Sequence, residues 1–148
     1  MPHPYFMAWT GAGRREINMR IAVIVFSVVF MILILMAGGA EFLCARGQAL
    51  NDTGLIRQAQ RLNPLVSEYF YEEYRLSGRI DALKAAIRRE PIKPAYHMYY
   101  GLVILKQVPR TRAGDRQALV EICKAAELKP YSKEYARICG QYKAVILP

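Results

Sequence analysis

The sequence predicts an all-α protein in which one apolar N-terminal helix precedes about six short helices. The first observation is that residues 21–40 (IAVIVFSVVFMILILMAGGA) carry no charge. A helix of that length reaches roughly 30 Å, the thickness of the hydrocarbon core of a bilayer. The second is that apolar residues recur at helical spacing after this segment, between breaks at proline, glycine and asparagine. No alternating strand pattern of useful length is present.

The apolar segment is expected to be a transmembrane helix, because an isolated span in lipid must satisfy its own backbone hydrogen bonds. Arg14, Arg15 and Arg20 precede it, whereas Arg46 is the one basic residue soon after it. The positive-inside rule therefore places the N-terminus in the cytoplasm and the C-terminal part outside the inner membrane. A cleaved signal peptide is the alternative, since small residues at 38–40 suit signal peptidase, although the apolar run is longer than a usual h-region.

We expect a cytoplasmic tail at 1–20, a transmembrane helix at 21–40, a linker at 41–54 and an extracytoplasmic domain at 55–148. The chain of 148 residues has a formal net charge of +9. Residues 41–148 hold eighteen basic and eleven acidic residues, which gives +7 for this part. Such a domain attracts membrane lipid head groups, acidic glycans or an acidic protein. Nucleic acid is not an expected partner, because a domain facing outward rarely meets it.

Breaks in the periodicity set the expected helix bounds. Residues 51–54 offer N-cap chemistry to a helix that stops at Asn63-Pro64. A second helix starts at Pro64 and stops at Gly78, where glycine suits a helix end. The third helix is expected to run to about residue 90 and the fourth over 95–107. After a polar loop at 108–114, Asp115 is expected to cap the fifth helix, and the sixth begins at about residue 132.

The helix ends share a register. Pro64, Pro91 and Pro130 each follow an alanine by five residues and a branched apolar residue by eight, at Ala59, Ala86 and Ala125 and at Ile56, Leu83 and Ile122. Gly101 and Gly140 stand ten residues beyond the second and third prolines, where a close helix crossing requires a residue without bulk.

This pattern resembles the tetratricopeptide repeat (TPR), whose second helix ends in alanine and proline and whose first helix has a small residue at the crossing. The proline spacings of 27 and 39 residues depart from the family period of 34, and Tyr74 stands where the first unit would have glycine. The resemblance covers roughly residues 55–146. It implies stacked helix pairs with a lone leading helix, two full pairs and a trailing helix.

The resemblance also implies that the first helices of the pairs line a concave binding surface. Tyrosine is frequent on these helices and supplies rigid apolar area with a polar tip. The candidate partner-binding residues are Tyr71, Arg75, Tyr96, Tyr99, Lys133 and Tyr135. The same tyrosines could instead fill the core of so small a domain. The stretch RLNPLVSEYFYEEYRL also resembles the helical-repeat periplasmic tails of O-antigen ligase and polymerase relatives, which adds an acidic glycan as a possible ligand.

Cysteine placement leaves two interpretations open. Cys123 and Cys139 lie at similar distances on either side of the turn at Pro130, so antiparallel helices would bring them opposite one another. They form a feasible disulfide outside the cytoplasm, or they are two small buried hydrophobic residues. Cys44 has no partner in this scheme. We expect its thiol to be inert rather than to form a disulfide between two chains.

The sequence holds no motif for catalysis, a metal or a cofactor. His3 and His97 lie on opposite sides of the apolar segment, and no zinc, haem, nucleophile-elbow or phosphate-loop pattern is present. His97 is the one catalytic candidate, and a helix-packing role is expected for it. Glu72 and Glu73 are adjacent, point apart on a helix and are expected to be solvated.

The sequence therefore predicts a non-enzymatic scaffold or accessory subunit of a cell-envelope assembly, anchored in the membrane and binding a protein partner. Two alternatives remain. One is a secreted, self-associating filament or surface subunit, with residues 21–40 as its signal peptide. The other is a glycan-binding accessory of surface-polysaccharide assembly.

Overall fold

A computed structural model describes residues 11–106 and 111–146. Within these residues it holds seven helices and no strand, which confirms the predicted all-α fold. The helices are α1 (Gly11–Leu50), α2 (Thr53–Leu62), α3 (Ser67–Ser77), α4 (Ile80–Arg89), α5 (Pro94–Lys106), α6 (Arg112–Leu128) and α7 (Lys133–Ile146). The chain forms two compact units, Met1–Gly38 and Gly39–Pro148. The predicted end of the fourth helix at Gln107 and part of the predicted loop lie outside the described residues.

The first unit contains most of an apolar helix. The described residues hold one helical stretch long and apolar enough to cross a membrane, Met19–Leu50, with a mean hydropathy of 3.0 and no burial in its most apolar window. Every side chain from Met19 to Met36 is exposed. An apolar N-terminal helix is thus present, with a length and composition that membrane spans and signal sequences share.

The second unit begins with the last turns of α1, which differ from the expected linker. Residues 41–50 continue the helix. Ala40 and Cys44 are buried, and together with Ile56, Ala59 and Tyr69 they form one core cluster. Small or apolar residues three to four positions apart give this part of α1 a face that packs on α2. The expectation of a lone leading helix is therefore wrong, because α2 is the second helix of a first pair.

The repeated helix ends occupy equivalent places in three pairs: the end of α1 with α2, α3 with α4, and α5 with α6. The six residues that define the register are all 0% exposed: Ile56, Ala59, Leu83, Ala86, Ile122 and Ala125. The first two ends also close alike, since the backbone N–H of Asn63 donates to the Ala59 carbonyl and that of Glu90 donates to the Ala86 carbonyl. The sequence register is confirmed, and α7 closes the array by packing on α6.

Only one of the two predicted crossing glycines lies at a crossing. A Cβ on Gly101 would stand 2.6 Å from Ile122 Cγ1 and 2.8 Å from the Ala118 carbonyl oxygen. Gly140 is exposed and has nothing within 4 Å of such a Cβ. The prediction for Gly140 is wrong because no second helix follows α7 among the described residues to cross it.

Helix caps explain where the elements begin and end. Asp52 Oδ1 accepts from the Gly54 N–H at 2.7 Å, as expected for the cap of α2. Gly78 ends α3 with φ of 70°, a backbone conformation that favours glycine. Two predicted starts are wrong. α3 begins at Ser67, because the residues from Pro64 onward form the turn, and α6 begins before Asp115 because Thr111 supplies the capping oxygen to the Gly114 N–H.

Candidate functional site

Tyrosines from the first helices of successive pairs meet on one face of the domain. The centroid of the Tyr71 ring, on α3, lies 5.5 Å from that of Tyr99 and 5.2 Å from that of Tyr96, both on α5. Tyr74 lies one turn after Tyr71, with ring centroids 6.2 Å apart. Tyr135 on α7 packs on the core cluster that contains Met98 of α5, and Tyr99 acts on its hydroxyl electrostatically. We call Tyr71, Tyr74, Tyr99 and Tyr135 the tyrosine cluster and the surface around it the first-helix face.

Exposure separates the tyrosines that a ligand can reach from those that it cannot. Tyr99 is 43% exposed and stands centrally in the cluster, while Tyr71, Tyr74 and Tyr135 are half-buried. Tyr96 is 2% exposed, so the expectation that it contacts a ligand is wrong. Its side chain belongs to the core of the second pair, and its hydroxyl lies 3.1 Å from Ser67 Oγ.

Three hydroxyls of the tyrosine cluster, those of Tyr71, Tyr74 and Tyr135, have raised pKa values. Burial raises the pKa of Tyr71, and a hydrogen bond with Tyr99 raises it further. Burial also raises the pKa of Tyr74 and of Tyr135, and the hydroxyl of Tyr99 adds to both shifts. These three tyrosines therefore offer a ligand apolar rings with uncharged donors and acceptors at their tips.

The two predicted basic site residues differ in their relation to the cluster. Arg75 lies one turn after Tyr71, acts on it electrostatically, and pairs through Nε with Glu72 Oε2 at 2.7 Å. Lys133 is exposed at the start of α7. Residues two apart on a helix do not share a face, so Lys133 and Tyr135 do not form one patch. The structure thus brings a basic group to the α3 side of the cluster.

The sequence did not predict a buried carboxylate on α3, at its contact with α2. Glu73 is 6% exposed, which corrects the expectation that it is solvated. It accepts hydrogen bonds from Arg57 Nε at 2.8 Å, Gln60 Nε2 at 2.9 Å and, more loosely, Arg79. Burial alone would raise the pKa of Glu73, but the hydrogen bonds from Gln60 and Arg57 hold it below its ordinary value. This network fixes α3, which carries half of the tyrosine cluster.

The catalytic candidate His97 is part of the packing. It is 1% exposed, with Nδ1 at 2.6 Å from Glu121 Oε2 and Nε2 at 2.8 Å from the Pro91 carbonyl oxygen. These contacts join α5 to α6 and to the preceding turn. Within residues 19–106 and 111–146, no group of three His, Cys, Asp or Glu side chains is placed to hold a metal ion.

Two of the three cysteines join α6 to α7, and Cys139 packs on the same core cluster as Tyr135. Cys123 on α6 and Cys139 on α7 are joined by a disulfide, with their Cα atoms 4.9 Å apart. Cys44 is free and buried in the core of the first pair. The disulfide joins the closing helix to the last pair, and so it supports the helix that carries Tyr135.

Comparison with known proteins identifies the fold. No family model and no curated protein matches this chain. A similar solved structure is the type III secretion chaperone SycD of Yersinia enterocolitica, in complex with a peptide of the translocator YopD. The two share 12% identity with a TM-score of 0.50, over 81% of this chain and 90% of that chain. At this identity the likeness shows the fold alone, which is helical and TPR-like.

Proposed function

We propose that this protein is a membrane-anchored, non-enzymatic scaffold or accessory subunit of a cell-envelope assembly, which binds a segment of a protein partner on its first-helix face. The observation that carries the proposal is the position of Tyr99. Tyr99 is 43% exposed while the Tyr71 ring packs beside its own. Exposed aromatic side chains of this kind are typical binding anchors, because they bury much area and lose little side-chain entropy.

The face is preorganised by the core beneath it. Tyr71 is stacked on the buried Tyr96, and Tyr96 is held by Ser67, which donates to Glu90 Oε2 at 2.5 Å. A side chain locked in this way is already ordered when a ligand arrives. The ordering cost of binding is therefore reduced.

The structural neighbour supports a peptide as the ligand class. SycD was crystallised with a peptide of the translocator YopD. We extend peptide binding to this chain because its own tyrosine cluster spans three consecutive first helices, α3, α5 and α7. An extended segment crossing these helices would meet Tyr71, Tyr99 and Tyr135 in turn, and an acidic residue on it would compete with Glu72 for Arg75.

The apolar part of α1 is proposed to be an uncleaved anchor, with the domain outside the cytoplasmic membrane. Cleavage after Ala40 would remove a residue that is 0% exposed in the core of the first pair. The basic residues before the span support an N-terminus in the cytoplasm. Intact-mass measurement should find a chain that starts at or near Met1, and a reporter fused after Pro148 should be active only outside the cytoplasm. A mature chain starting at Glu41 would contradict the anchor.

The closing helix supports protein binding over the self-associating alternative. Stacking of copies requires an apolar open end, whereas a capped array presents a polar outer face. The exposed residues of α7 are mainly small, polar or basic: Lys133, Glu134, Ala136, Arg137, Gly140, Gln141, Lys143 and Ala144. Val145 is the exposed large apolar exception.

The test is a selection of peptides on the full-length protein in nanodiscs. Peptides that bind the wild type should lose affinity by about 1–2 kcal/mol with Tyr99→Ala, the range for a good anchor. The control is Val120→Ala, at an exposed position on the second helix of the third pair. Equal binding to both variants would contradict the proposed face. An acidic oligosaccharide in the same assay tests the glycan alternative, which predicts saturable binding that Tyr99→Ala abolishes.

A further inference from the structure

We propose that one edge of the helical domain rests on the surface of the bilayer, through apolar side chains that follow the three repeated prolines. This inference depends on the membrane anchor proposed above. Leu65, Ile92 and Tyr131 each come directly after one of these prolines, and they are 83%, 72% and 96% exposed. We call the edge that carries them the proline edge.

The chain enters the domain at the proline edge. Gly47 faces Ile56 across the first pair, and a Cβ on Gly39 would stand 3.9 Å from Leu62 Cδ1. The two helices are thus antiparallel, and the turn at Pro64 lies beside Gly39. Because residues 21–38 directly precede Gly39, the first turn lies where the chain leaves its apolar segment.

The other two turns lie on the same edge. Arg89 at the end of α4 donates from Nε to the Pro64 carbonyl oxygen at 2.6 Å, which joins the second turn to the first. In the third pair Gly101 packs on Ile122. Pro94 is seven residues before Gly101 and Lys129 is seven after Ile122, so the start of α5 is level with the end of α6. The turn at Pro130 therefore lies at the level of the turn at Pro91.

The charge at the proline edge suits anionic lipid. The three turns, residues 61–66, 88–93 and 128–133, hold six basic residues and one acid, a net of +5: Arg61, Arg88, Arg89, Lys93, Lys129 and Lys133 against Glu90. Apolar tips within a basic surround are the combination that binds anionic head groups while dipping into the interface. Tyrosine is also favoured at that depth, which fits Tyr131.

A bilayer is the favoured ligand of the proline edge because the proposed membrane anchor joins the domain at this edge. An apolar ridge could also bind another protein, but this ridge starts at the residue where the apolar helix enters the domain. The bilayer is therefore within reach of the first turn with no intervening linker. Both the charge and the connectivity identify the same ligand.

The test uses single tryptophans in the full-length protein, reconstituted in liposomes of anionic lipid with brominated acyl chains. Trp9→Phe removes the native tryptophan, and Ile92→Trp or Tyr131→Trp supplies the probe. Leu50→Trp is the matched control, because Leu50 is 60% exposed at the opposite, α1–α2 edge. We expect loss of fluorescence at positions 92 and 131, smaller loss in zwitterionic lipid, and none at position 50.

Flotation of the same liposomes separates this inference from the anchor. If the protein floats with the lipid while the probes at 92 and 131 lose no more fluorescence than the probe at 50, the proline edge does not contact lipid and the inference is wrong. In that case the anchor stands. Protein that fails to float overturns the anchor and this inference together. Circular dichroism of each variant verifies the fold, which these exposed positions should not affect.

Discussion

Gly101 lies so close to Ile122 that a Cβ on the glycine would stand 2.6 Å from the isoleucine Cγ1. The same relation holds between Gly47 and Ile56, where the corresponding distance is 2.8 Å. In both pairs the glycine faces the fully buried residue eight positions before the repeated proline. The first and third pairs thus share one kind of contact between their two helices. The glycine and the isoleucine are twelve positions further apart in sequence in the third pair than in the first.

Substitution at this contact should destabilise the domain. Gly101→Ala should lower the free energy of unfolding by about 1–3 kcal/mol, because both a side chain and the Ala118 carbonyl stand in the way of the new methyl group. Gly140→Ala is the control, and it should be neutral or stabilising by up to about 1 kcal/mol, since alanine favours a helix and the position is open. Urea unfolding followed by circular dichroism distinguishes the two. Equal effects would contradict the crossing at Gly101.

The sequence predicted the helix ends, where the same local chemistry repeats. It did not predict burial that depends on residues distant in sequence. The ends at Ala59, Ala86 and Ala125 were predictable, because alanine before proline marks a tight end whatever the neighbouring helix is. Ala40 and Cys44 were missed, since small and apolar residues beside a hydrophobic run are indistinguishable from residues that face lipid.

The meeting of tyrosines from the first helices was predictable, but the exposure of each tyrosine was not. Tyr96 and Tyr99 lie three positions apart on one helix, yet one is core and the other is the most exposed ring of the cluster. The difference depends on Tyr71 and Ser67 of the preceding pair, which cover Tyr96. A repeat pattern places a helix but does not reveal how far its neighbour covers it.

Two buried tyrosines, Tyr69 and Tyr96, provide a matched test of buried hydroxyl groups. The Tyr69 hydroxyl is buried without a hydrogen-bond partner among the described residues. Tyr69→Phe should therefore leave stability unchanged or raise it, since an unsatisfied buried group costs about 1–3 kcal/mol. Tyr96→Phe should cost about 1 kcal/mol by removing the contact with Ser67. Comparison of the two unfolding midpoints checks this pair, and a clear loss with Tyr69→Phe would show that its hydroxyl has a partner.

The disulfide should stabilise the end of the array. Cys123 and Cys139 are 16 positions apart, and closing a loop of about 15 residues contributes roughly 3 kcal/mol in the chain-entropy model. Cys123→Ser with Cys139→Ser should lower the free energy of unfolding by that order and make it insensitive to reducing agent. In the wild type, reductant should have the same effect as the double substitution. A wild type indifferent to reductant would contradict the bond.

The buried carboxylate Glu73 should make stability depend on pH. Because its pKa is below the ordinary value of 4.5 in the folded state, its contribution is present above the unfolded value and is lost as pH falls through the folded one. Glu73→Gln should be less stable than the wild type at neutral pH, and the difference should shrink as pH falls below that value. Glu72→Gln, which disrupts a pair with the exposed Arg75, should cost no more than about 1 kcal/mol. A difference that is constant with pH would contradict the network.

Site-specific photo-crosslinking in living cells tests the binding face most directly. A photoreactive phenylalanine analogue at Tyr99 and, in a second variant, at Tyr135 should form an adduct with the same polypeptide. The same analogue at Val120 should not. The account predicts that mass spectrometry of the adducts finds one segment of one protein joined to both positions. Adducts at Val120 with none at Tyr99 would contradict the claim that this protein binds its partner on the first-helix face.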